Sequence, residues 1–405
     1  MKYSFAKELI TPDWPTRMSG FASRTSKSVG VYDDLYTRTL MIDDGEKRIL
    51  IITLDICMIE RGFVNEVKGI IEERFGINGK DIMIHTVHTH AGPVSSLAYR
   101  ESCHEVYDDT IKFREFLRER IIRCVERCLD SSREGYLEIG FGETYIGMDR
   151  RQKTPEGVRI GPNPEGEIDR KIFVMAIKDE EDRPRVILFT CPCHPVVLYH
   201  DNLYISADFP GAAISQINKK FPGAEAMFLQ GAGADINPAV LVADDEYRDT
   251  FYSDVIFTGN ILANDVYNIM RCGMKKVIPE LETCLERVPV FLDEDATLEK
   301  DRVEATQECE VKVSVLKLSQ EVRIIGLDGE VCNQVGVHIS SLFDDGYTIV
   351  VGYANGYIGY IPTPQILAEG GYEPNTNIFG GKFASDVEDI LLERIRNIKE
   401  QISQK

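Results

Sequence analysis

The sequence predicts an α/β fold in which mixed β-sheets are flanked by helices. Two observations carry this prediction. Strand-length apolar runs alternate with amphipathic helical patterns in the first half of the 405-residue chain, and the pattern becomes rich in strands beyond about residue 285. No repeat or low-complexity linker divides the chain. We therefore predict one domain over residues 1–405, with a more β-rich C-terminal part from about residue 285.

The first elements show the alternation expected of such a fold. Residues 48–55 are a continuous apolar run of strand length that ends in a carboxylate. Apolar residues spaced by three and four over residues 64–75 predict a helix, and Gly76 is placed to end it. Residues 81–86 predict a second strand, and residues 110–129 predict an amphipathic helix.

The rest of the chain supplies further strands and two helices. A charged turn over residues 178–184 indicates a hairpin. A loop over residues 243–254 is expected to precede a helix around residues 261–270. Ser385 and Glu388, three residues apart, predict a capping box at the start of the last helix. The predicted strands are residues 136–142, 172–177, 185–190, 226–229, 288–292, 311–318, 322–327 and 348–353.

Charge and composition argue against several classes of partner. Lys and Arg total 46 against 66 Asp and Glu, and the formal net charge of −20 disfavours nucleic-acid backbones and anionic membranes. No apolar run approaches the roughly 20 residues that a membrane-spanning helix needs. The N-terminus lacks a signal-peptide pattern, and the ten cysteines lack a disulfide-framework spacing. We therefore expect a cytoplasmic protein with no nucleic-acid partner and no membrane span; its oligomeric state stays open.

Three of the seven histidines crowd near the end of the strand predicted at residues 81–86: His85, His88 and His90. An extended backbone would place the side chains of His88 and His90 on one face, roughly 7 Å apart. Such a pair can supply one metal ligand beside a proton carrier, or two ligands of one ion. A polar strand end with solvated histidines is the alternative interpretation.

A second polar group follows the strand predicted at residues 185–190. His194 lies in a Cys-Pro-Cys-His-Pro run, and Asp208 lies in a Ser-Ala-Asp run farther on. Because α/β sheets place ligands at the carboxyl ends of their strands, two such histidine sites predict a mononuclear zinc site. His200, beside Asp201, is expected to lie in a surface loop.

Other chemistries lack their sequence signatures. The glycine-rich loop over residues 231–238 has neither the third glycine of a dinucleotide fingerprint nor the Lys-Ser/Thr of a P-loop, so no nucleotide is expected. No Gly-x-Ser-x-Gly run is present, which argues against a serine hydrolase of that type. The cysteines are expected to be buried structural residues.

In their order and spacing, these motifs resemble the neutral/alkaline ceramidase family, zinc amidohydrolases that cleave the N-acyl bond of ceramide. The resemblance runs from the N-terminus to about residue 381 and implies the fold of the family's catalytic domain. It rests on residues 88–93 (His-Thr-His-Ala-Gly-Pro), 149–150 (Asp-Arg), 194–195 (His-Pro), 206–208 (Ser-Ala-Asp), 329–330 (Gly-Glu), 355–363 (Asn-Gly-Tyr-Ile-Gly-Tyr-Ile-Pro-Thr) and 372–373 (Tyr-Glu).

The resemblance implies a metal site and a catalytic set. His90 would carry protons, Arg150 would line the active site, and Tyr372 would reach the reacting carbonyl. Asp208 or Asp235 could orient a ligand histidine through a hydrogen bond. The implied zinc ligands are His88, His194, Glu330 and Tyr360.

Two departures from the family pattern bear on the substrate. Asn237 stands where the family has the serine described as its nucleophile. An amide cannot take that role, although its NH₂ group could donate to an oxyanion. The sequence is also shorter than the family norm, and we expect a member without the family's C-terminal immunoglobulin-like domain. Both departures argue against ceramide itself as the natural substrate.

We therefore predict a zinc-dependent amidohydrolase that cleaves the C–N bond of a small-molecule or lipid-like N-acyl substrate with metal-activated water. One alternative is a zinc hydrolase of a small polar ester or glycoside. The other is a zinc-binding relic without catalytic activity.

Overall fold

The computed structural model describes residues 1–97, 108–293 and 309–403 and has the predicted α/β fold, with helices packed on mixed sheets. Within these ranges the helices are α1 (Arg61–Phe75), α2 (Asp108–Leu129), α3 (Asp208–Lys220), α4 (Tyr252–Cys272), α5 (Asn333–Ser341), α6 (Pro364–Glu369) and α7 (Val387–Ser403). The strands are β1 (Lys2–Leu9), β2 (Gly30–Val31), β3 (Tyr36–Asp43), β4 (Arg48–Leu54), β5 (Ile82–Thr86), β6 (Arg133–Glu134), β7 (Tyr136–Glu143), β8 (Gly147–Thr154), β9 (Gly157–Asn163), β10 (Lys171–Lys178), β11 (Pro184–Cys191), β12 (Tyr204–Ile205), β13 (Glu225–Gln230), β14 (Ile236–Pro238), β15 (Val242–Ala243), β16 (Glu246–Tyr247), β17 (Lys275–Val277), β18 (Pro279–Pro289), β19 (Glu310–Ser319), β20 (Val322–Leu327), β21 (Glu330–Val331), β22 (Tyr347–Val351) and β23 (Tyr360–Ile361).

Three sheets form the framework. Their strand orders are β5-β4-β3-β1-β6, β13-β11-β10-β7-β17 and β18-β19-β20-β22, and smaller sheets pair β14-β8-β9, β12-β2, β15-β16 and β21-β23. Most neighbours in the three large sheets run antiparallel, but each sheet contains one parallel pair. These pairs are β4 with β5, β11 with β13, and β20 with β22.

Each parallel pair is linked by a crossover that contains a helix, because parallel strands cannot be joined by a tight turn. Helix α1 lies between β4 and β5, α3 between β11 and β13, and α5 between β20 and β22. The chain therefore holds three βαβ units, one in each large sheet. Ligand sites in such units form at the carboxyl ends of the strands.

Apolar packing holds the helices against the sheets. On the first sheet, α1 contributes Phe63 and Val67 and α2 contributes Phe113 and Leu117, all buried to within 2% exposure. Burial of a side chain of this size stabilises the fold by roughly 1.5–3 kcal/mol. In the described ranges, every helix is too short or too polar to cross a bilayer.

Several elements differ from the sequence prediction. Helix α4 begins at Tyr252, nine residues before the predicted start, because the Asp254 carboxylate accepts the Phe251 amide at 2.8 Å and caps the helix inside the predicted loop. Helix α7 begins at Val387, and the Glu388 carboxylate pairs with His338 at 2.8 Å rather than closing a box with Ser385. Strand β18 starts nine residues earlier than the strand predicted at 288–292 and ends at Pro289. Helices α3, α5 and α6 were not predicted, and neither were strands β1, β3, β8 and β9 or the short strands β2, β6, β12, β14, β15, β16, β17, β21 and β23.

The buried Lys68 of α1 gives a test of the packing. Burial, and then the nearby Lys312, lower the pKa of Lys68 to about 7. The folded state therefore releases a proton that the unfolded state keeps between about pH 7 and 10.5, and stability rises with pH across that window. Lys68→Met should be more stable than the wild type at pH 6.5, and the gap should shrink by roughly 2–3 kcal/mol at pH 9. Urea unfolding at the two pH values measures this, and a gap independent of pH would contradict it.

Candidate metal centre

Residues that follow one strand of each parallel pair converge at the carboxyl ends of the three large sheets. His88 follows β5, His194 follows β11, and Glu330 follows β20. One nitrogen of each histidine and one oxygen of Glu330 lie within 4.8 Å of one another, and all three residues are buried. The structure thus brings together three of the four predicted zinc ligands from three different sheets.

Backbone carbonyls fix the orientation of both imidazole rings. The Nδ1 atom of His88 lies 2.8 Å from the carbonyl oxygen of Cys57, and that of His194 lies 2.9 Å from the carbonyl oxygen of Gly233. Because a carbonyl only accepts, each Nδ1 carries the proton. Each Nε2 of a neutral ring then has a free lone pair, the form in which imidazole binds metals.

The Glu330 carboxylate completes a donor set suited to a cation. Its Oε2 atom lies 3.5 Å from His88 Nε2 and 3.1 Å from His194 Nε2. Despite the short distance, His194 Nε2 has no hydrogen bond of acceptable geometry among the described residues. Two imidazole lone pairs and a carboxylate that face one another, with one buried nitrogen left unsatisfied, fit a bound zinc ion.

The electrostatics of these residues also call for positive charge. Burial opposes ionisation of Glu330, but His88 and His194 hold the pKa of its carboxyl well below the usual range. Burial likewise opposes protonation of His88, yet the Cys57 sulfur and the Glu330 carboxylate raise the pKa of His88 to about 10. A buried carboxylate therefore requires a cation beside it, and a protonated imidazole supplies one when no metal ion is bound.

His90 lies much closer to His88 than an extended strand allows. Strand β5 ends at Thr86, and His88 adopts a left-handed backbone with φ of 68°. The two Nε2 atoms are 3.1 Å apart, so the predicted strand-like separation of roughly 7 Å is wrong. Burial, with His88 and His194 nearby, lowers the pKa of His90 well below its ordinary value, which keeps the ring neutral.

A second buried charge network lies beside the donor set. Arg150 donates to Glu373 Oε1 at 3.1 Å, to the Tyr360 hydroxyl at 2.9 Å and to Asn237 Oδ1 at 3.4 Å. Glu373 also accepts from Arg151, so one carboxylate holds two guanidinium groups. Arg150, on β8, is consequently a fixed cation that contacts β14, β23 and the segment that follows β23.

The remaining predicted site residues lie around Arg150. The Asn237 amide donates to the Tyr247 hydroxyl at 3.2 Å, so both ends of this side chain are engaged. Tyr360 pairs with Glu330 across β21 and β23, and its ring lies 5.6 Å from that of Tyr372. Tyr372 is 43% exposed and forms the outer edge of the group. A contact between Tyr360 and a metal ion stays a prediction.

Asp208 and Asp235 were predicted to orient a ligand histidine, but neither contacts an imidazole ring of the proposed ligands. Asp208 accepts the backbone amides of Leu198 at 2.9 Å and Phe209 at 2.7 Å, and it thereby holds the loop after His194. Asp235 accepts the amide of Asn333 at 2.7 Å, at the start of α5. Both carboxylates satisfy backbone donors instead, because the carbonyls of residues 57 and 233 already occupy the imidazole Nδ1 atoms.

The prediction from sequence missed four residues of the site. Cys57 packs its sulfur 3.6 Å from His88 Nδ1, and Glu373 is the anion that pairs with Arg150. The hydroxyls of Tyr353 and Tyr357 both bind the Glu330 carboxylate. Tyr357 and Glu373 lie within sequence motifs that resemble the family, so their position could have identified them as site residues. Nothing in the sequence around Cys57 or Tyr353 indicates a place in the site.

Comparison with known proteins identifies the family of this chain. A family model described as neutral/alkaline non-lysosomal ceramidase, N-terminal, matches residues 8–251. The chain belongs to this family. Members with similar sequences include the neutral ceramidase of Oryza sativa subsp. japonica, 23% identical over 221 residues, and neutral ceramidase 1 of Arabidopsis thaliana, 22% identical over 215 residues. Each alignment covers 51% of this chain and 27% of the plant protein, so the similarity spans about a quarter of these relatives.

Solved ceramidase structures share the fold of this chain. The neutral ceramidase from Pseudomonas aeruginosa superposes with a TM-score of 0.82 over 99% of this chain and 74% of its own, at 18% identity. A ceramidase complexed with C2 gives the same TM-score over 99% of this chain and 75% of its own, at 17% identity. At these identities the likeness establishes the fold, which is the one that the sequence motifs predicted.

The shared carboxylate of Glu373 leads to a stability prediction. Glu373 is 2% exposed, and Glu373→Gln would leave two buried guanidinium groups without their common anion. We expect a loss of about 3 kcal/mol or more in the free energy of unfolding, measured by urea and circular dichroism. Glu369→Gln is the matched control, because Glu369 also pairs with Arg151 but is 25% exposed, and its loss should stay within about 1 kcal/mol. Equal losses in the two variants would contradict the assignment.

Proposed function

We propose that this protein is a zinc-dependent hydrolase that cleaves the C–N bond of an N-acyl amide. Membership of the ceramidase family and the shared fold support a ceramidase-like hydrolase. The observation that carries the metal is the convergence of His88, His194 and Glu330, with both Nδ1 atoms bonded to carbonyls and both Nε2 atoms facing one carboxylate oxygen.

His88, His194 and Glu330 would hold the ion, with Tyr360 as the proposed fourth contact. A bound zinc ion would supply Lewis acidity, which lowers the pKa of water towards roughly 7 and polarises a carbonyl oxygen. His90 is the proton carrier: it is neutral near pH 7 and its Nε2 lies 3.1 Å from His88 Nε2. It takes the proton from the attacking water and later gives it to the leaving nitrogen.

Arg150 would stabilise the negative charge that develops on the carbonyl oxygen. Its guanidinium is buried and already oriented by Glu373, so no reorganisation is needed during the reaction. Asn237 cannot attack the carbonyl, and its oxygen helps to hold Arg150. Tyr372, at the exposed edge, is placed to contact a substrate that enters from solvent. Direct attack by water is therefore the route that these side chains support.

The substrate class rests on the relatives, and small polar esters or glycosides are the competing substrates. One of the solved ceramidases that share this fold is complexed with C2. A lipid-like N-acyl amide is accordingly the first candidate. A zinc-binding protein without turnover is the remaining alternative.

Metal content tests the first half of this proposal. Protein expressed with zinc should contain close to one zinc ion per chain by elemental mass spectrometry, and His88→Ala and Glu330→Ala should lose it because each removes a ligand. His338→Ala is the control, since His338 is half-exposed and pairs with Glu388, which is not one of the proposed ligands. Zinc retained in both ligand variants would refute the ligand assignment.

Turnover tests the second half. The zinc-loaded protein should hydrolyse short- and long-chain N-acyl amides, and Arg150→Lys should lower kcat by roughly 10²–10³-fold because the oriented guanidinium is lost. Glu156→Gln, in the exposed β8–β9 turn, serves as control. Turnover only of esters or glycosides would replace the amide assignment, and zinc binding without any turnover would favour the non-catalytic alternative.

A further inference from the structure

We propose that Tyr353 and Tyr357 are positioning residues that set the geometry of the metal site through Glu330 and His88. The inference rests on the proposed function, because it requires that the site holds a metal ion. Neither tyrosine is a proposed ligand: together they determine which oxygen of Glu330 faces the ion and which is held away from it.

Tyr357 holds the carboxylate oxygen that does not face the imidazoles. Its hydroxyl lies 2.6 Å from Glu330 Oε1, whereas both imidazole Nε2 atoms approach Oε2. A hydrogen bond from a phenol to a carboxylate is charge-assisted and strong. It fixes the carboxylate plane and occupies Oε1, so Glu330 is prepared to bind an ion through Oε2 alone.

Tyr353 contacts two of the proposed ligands at once. Its hydroxyl lies 3.1 Å from Glu330 Oε2, and its ring stacks on the His88 ring with centroids 4.0 Å apart and an interplanar angle of 25°. The hydroxyl and the ring therefore restrain ligands that come from different sheets. The side chain is only 1% exposed, so solvent does not compete for these contacts.

The backbone at Tyr353 is strained in a way that delivers this side chain. Tyr353 has a φ of 54°, a left-handed conformation that is rare for an aromatic residue. Its amide donates to the Gly329 carbonyl at 3.0 Å and its carbonyl accepts the Thr86 amide at 3.2 Å. These bonds tie the residue to the end of β5 and to the turn before Glu330. Such strain costs of order 1–3 kcal/mol and persists where surrounding structure enforces it, which is typical of functional positions.

Zinc affinity measured by competition with a chromophoric chelator tests the inference without using activity. Tyr357→Phe and Tyr353→Phe should each weaken binding by roughly 10–100-fold, the usual effect of removing a hydrogen bond to a ligand. Tyr353→Leu should weaken it further, because the stacking on His88 is lost as well. Tyr3→Phe, at a buried tyrosine of β1, should bind zinc like the wild type. Wild-type affinity in both site Phe variants would overturn the inference.

The cobalt-substituted protein provides a readout that a general loss of stability would not change. Tyr357→Phe frees Oε1 to join the ion, and the added ligand should weaken the visible d–d absorption of Co²⁺ relative to the wild type and Tyr3→Phe. An unchanged spectrum in Tyr357→Phe would overturn the role given to Oε1. Failure of the wild type to bind either metal would instead overturn the proposed function, and this inference with it.

Discussion

The burial of one ionised carboxylate, Glu330, is the constraint on which the architecture of the site depends. A carboxylate that is 3% exposed is tolerated only if positive charge and hydrogen-bond donors surround it. The His88 imidazole, whose pKa is raised to about 10, supplies the positive charge when no metal ion is bound, and the hydroxyls of Tyr353 and Tyr357 donate the hydrogen bonds. These partners are distant in sequence, so the charge can be satisfied only where the ends of three sheets meet.

Hydrogen bonds between the ends of neighbouring strands hold these sheet ends together. The amide of Gln230, at the end of β13, donates to His85 Nε2 at 3.0 Å, and its carbonyl accepts the amide of Gly352 at 3.2 Å. The Asn355 side chain in turn accepts the amide of Ile84 at 3.0 Å. His85 is fully buried, and burial lowers its pKa to about 3, so it acts as a neutral acceptor. It therefore has a structural role, unlike His88 and His90.

Many of the elements and most of the proposed ligands could be predicted from the sequence, but the geometry between them could not. Strand-length apolar runs located β4, β5, β10 and β11, since their period and length depend on local composition. The predicted distance between His88 and His90 was wrong because the tertiary structure places His88 in a left-handed conformation that no local pattern signals. The role of Tyr353 was missed because its left-handed backbone has no local signal either, and because a lone tyrosine after a strand is usually a packing residue. Helix α3 was missed because Pro210 and Gly211 obscure its first turn.

The two buried networks of the site are electrostatically complementary. Arg150 and Arg151 are balanced by Glu373 and the partly exposed Glu369, so this half is close to neutral. The other half holds Glu330 with two imidazoles, and a divalent cation there would leave it with a net positive charge. Arg150 presents hydrogen-bond donors beside that positive charge. Its own charge is already paired with Glu373, so it needs no further anion. In the proposed reaction, the positive potential of the site would act weakly on the neutral carbonyl of the substrate and more strongly on its oxygen as that oxygen becomes negative in the transition state. An interaction that strengthens along the reaction coordinate in this way accelerates the chemical step rather than merely tightening substrate binding.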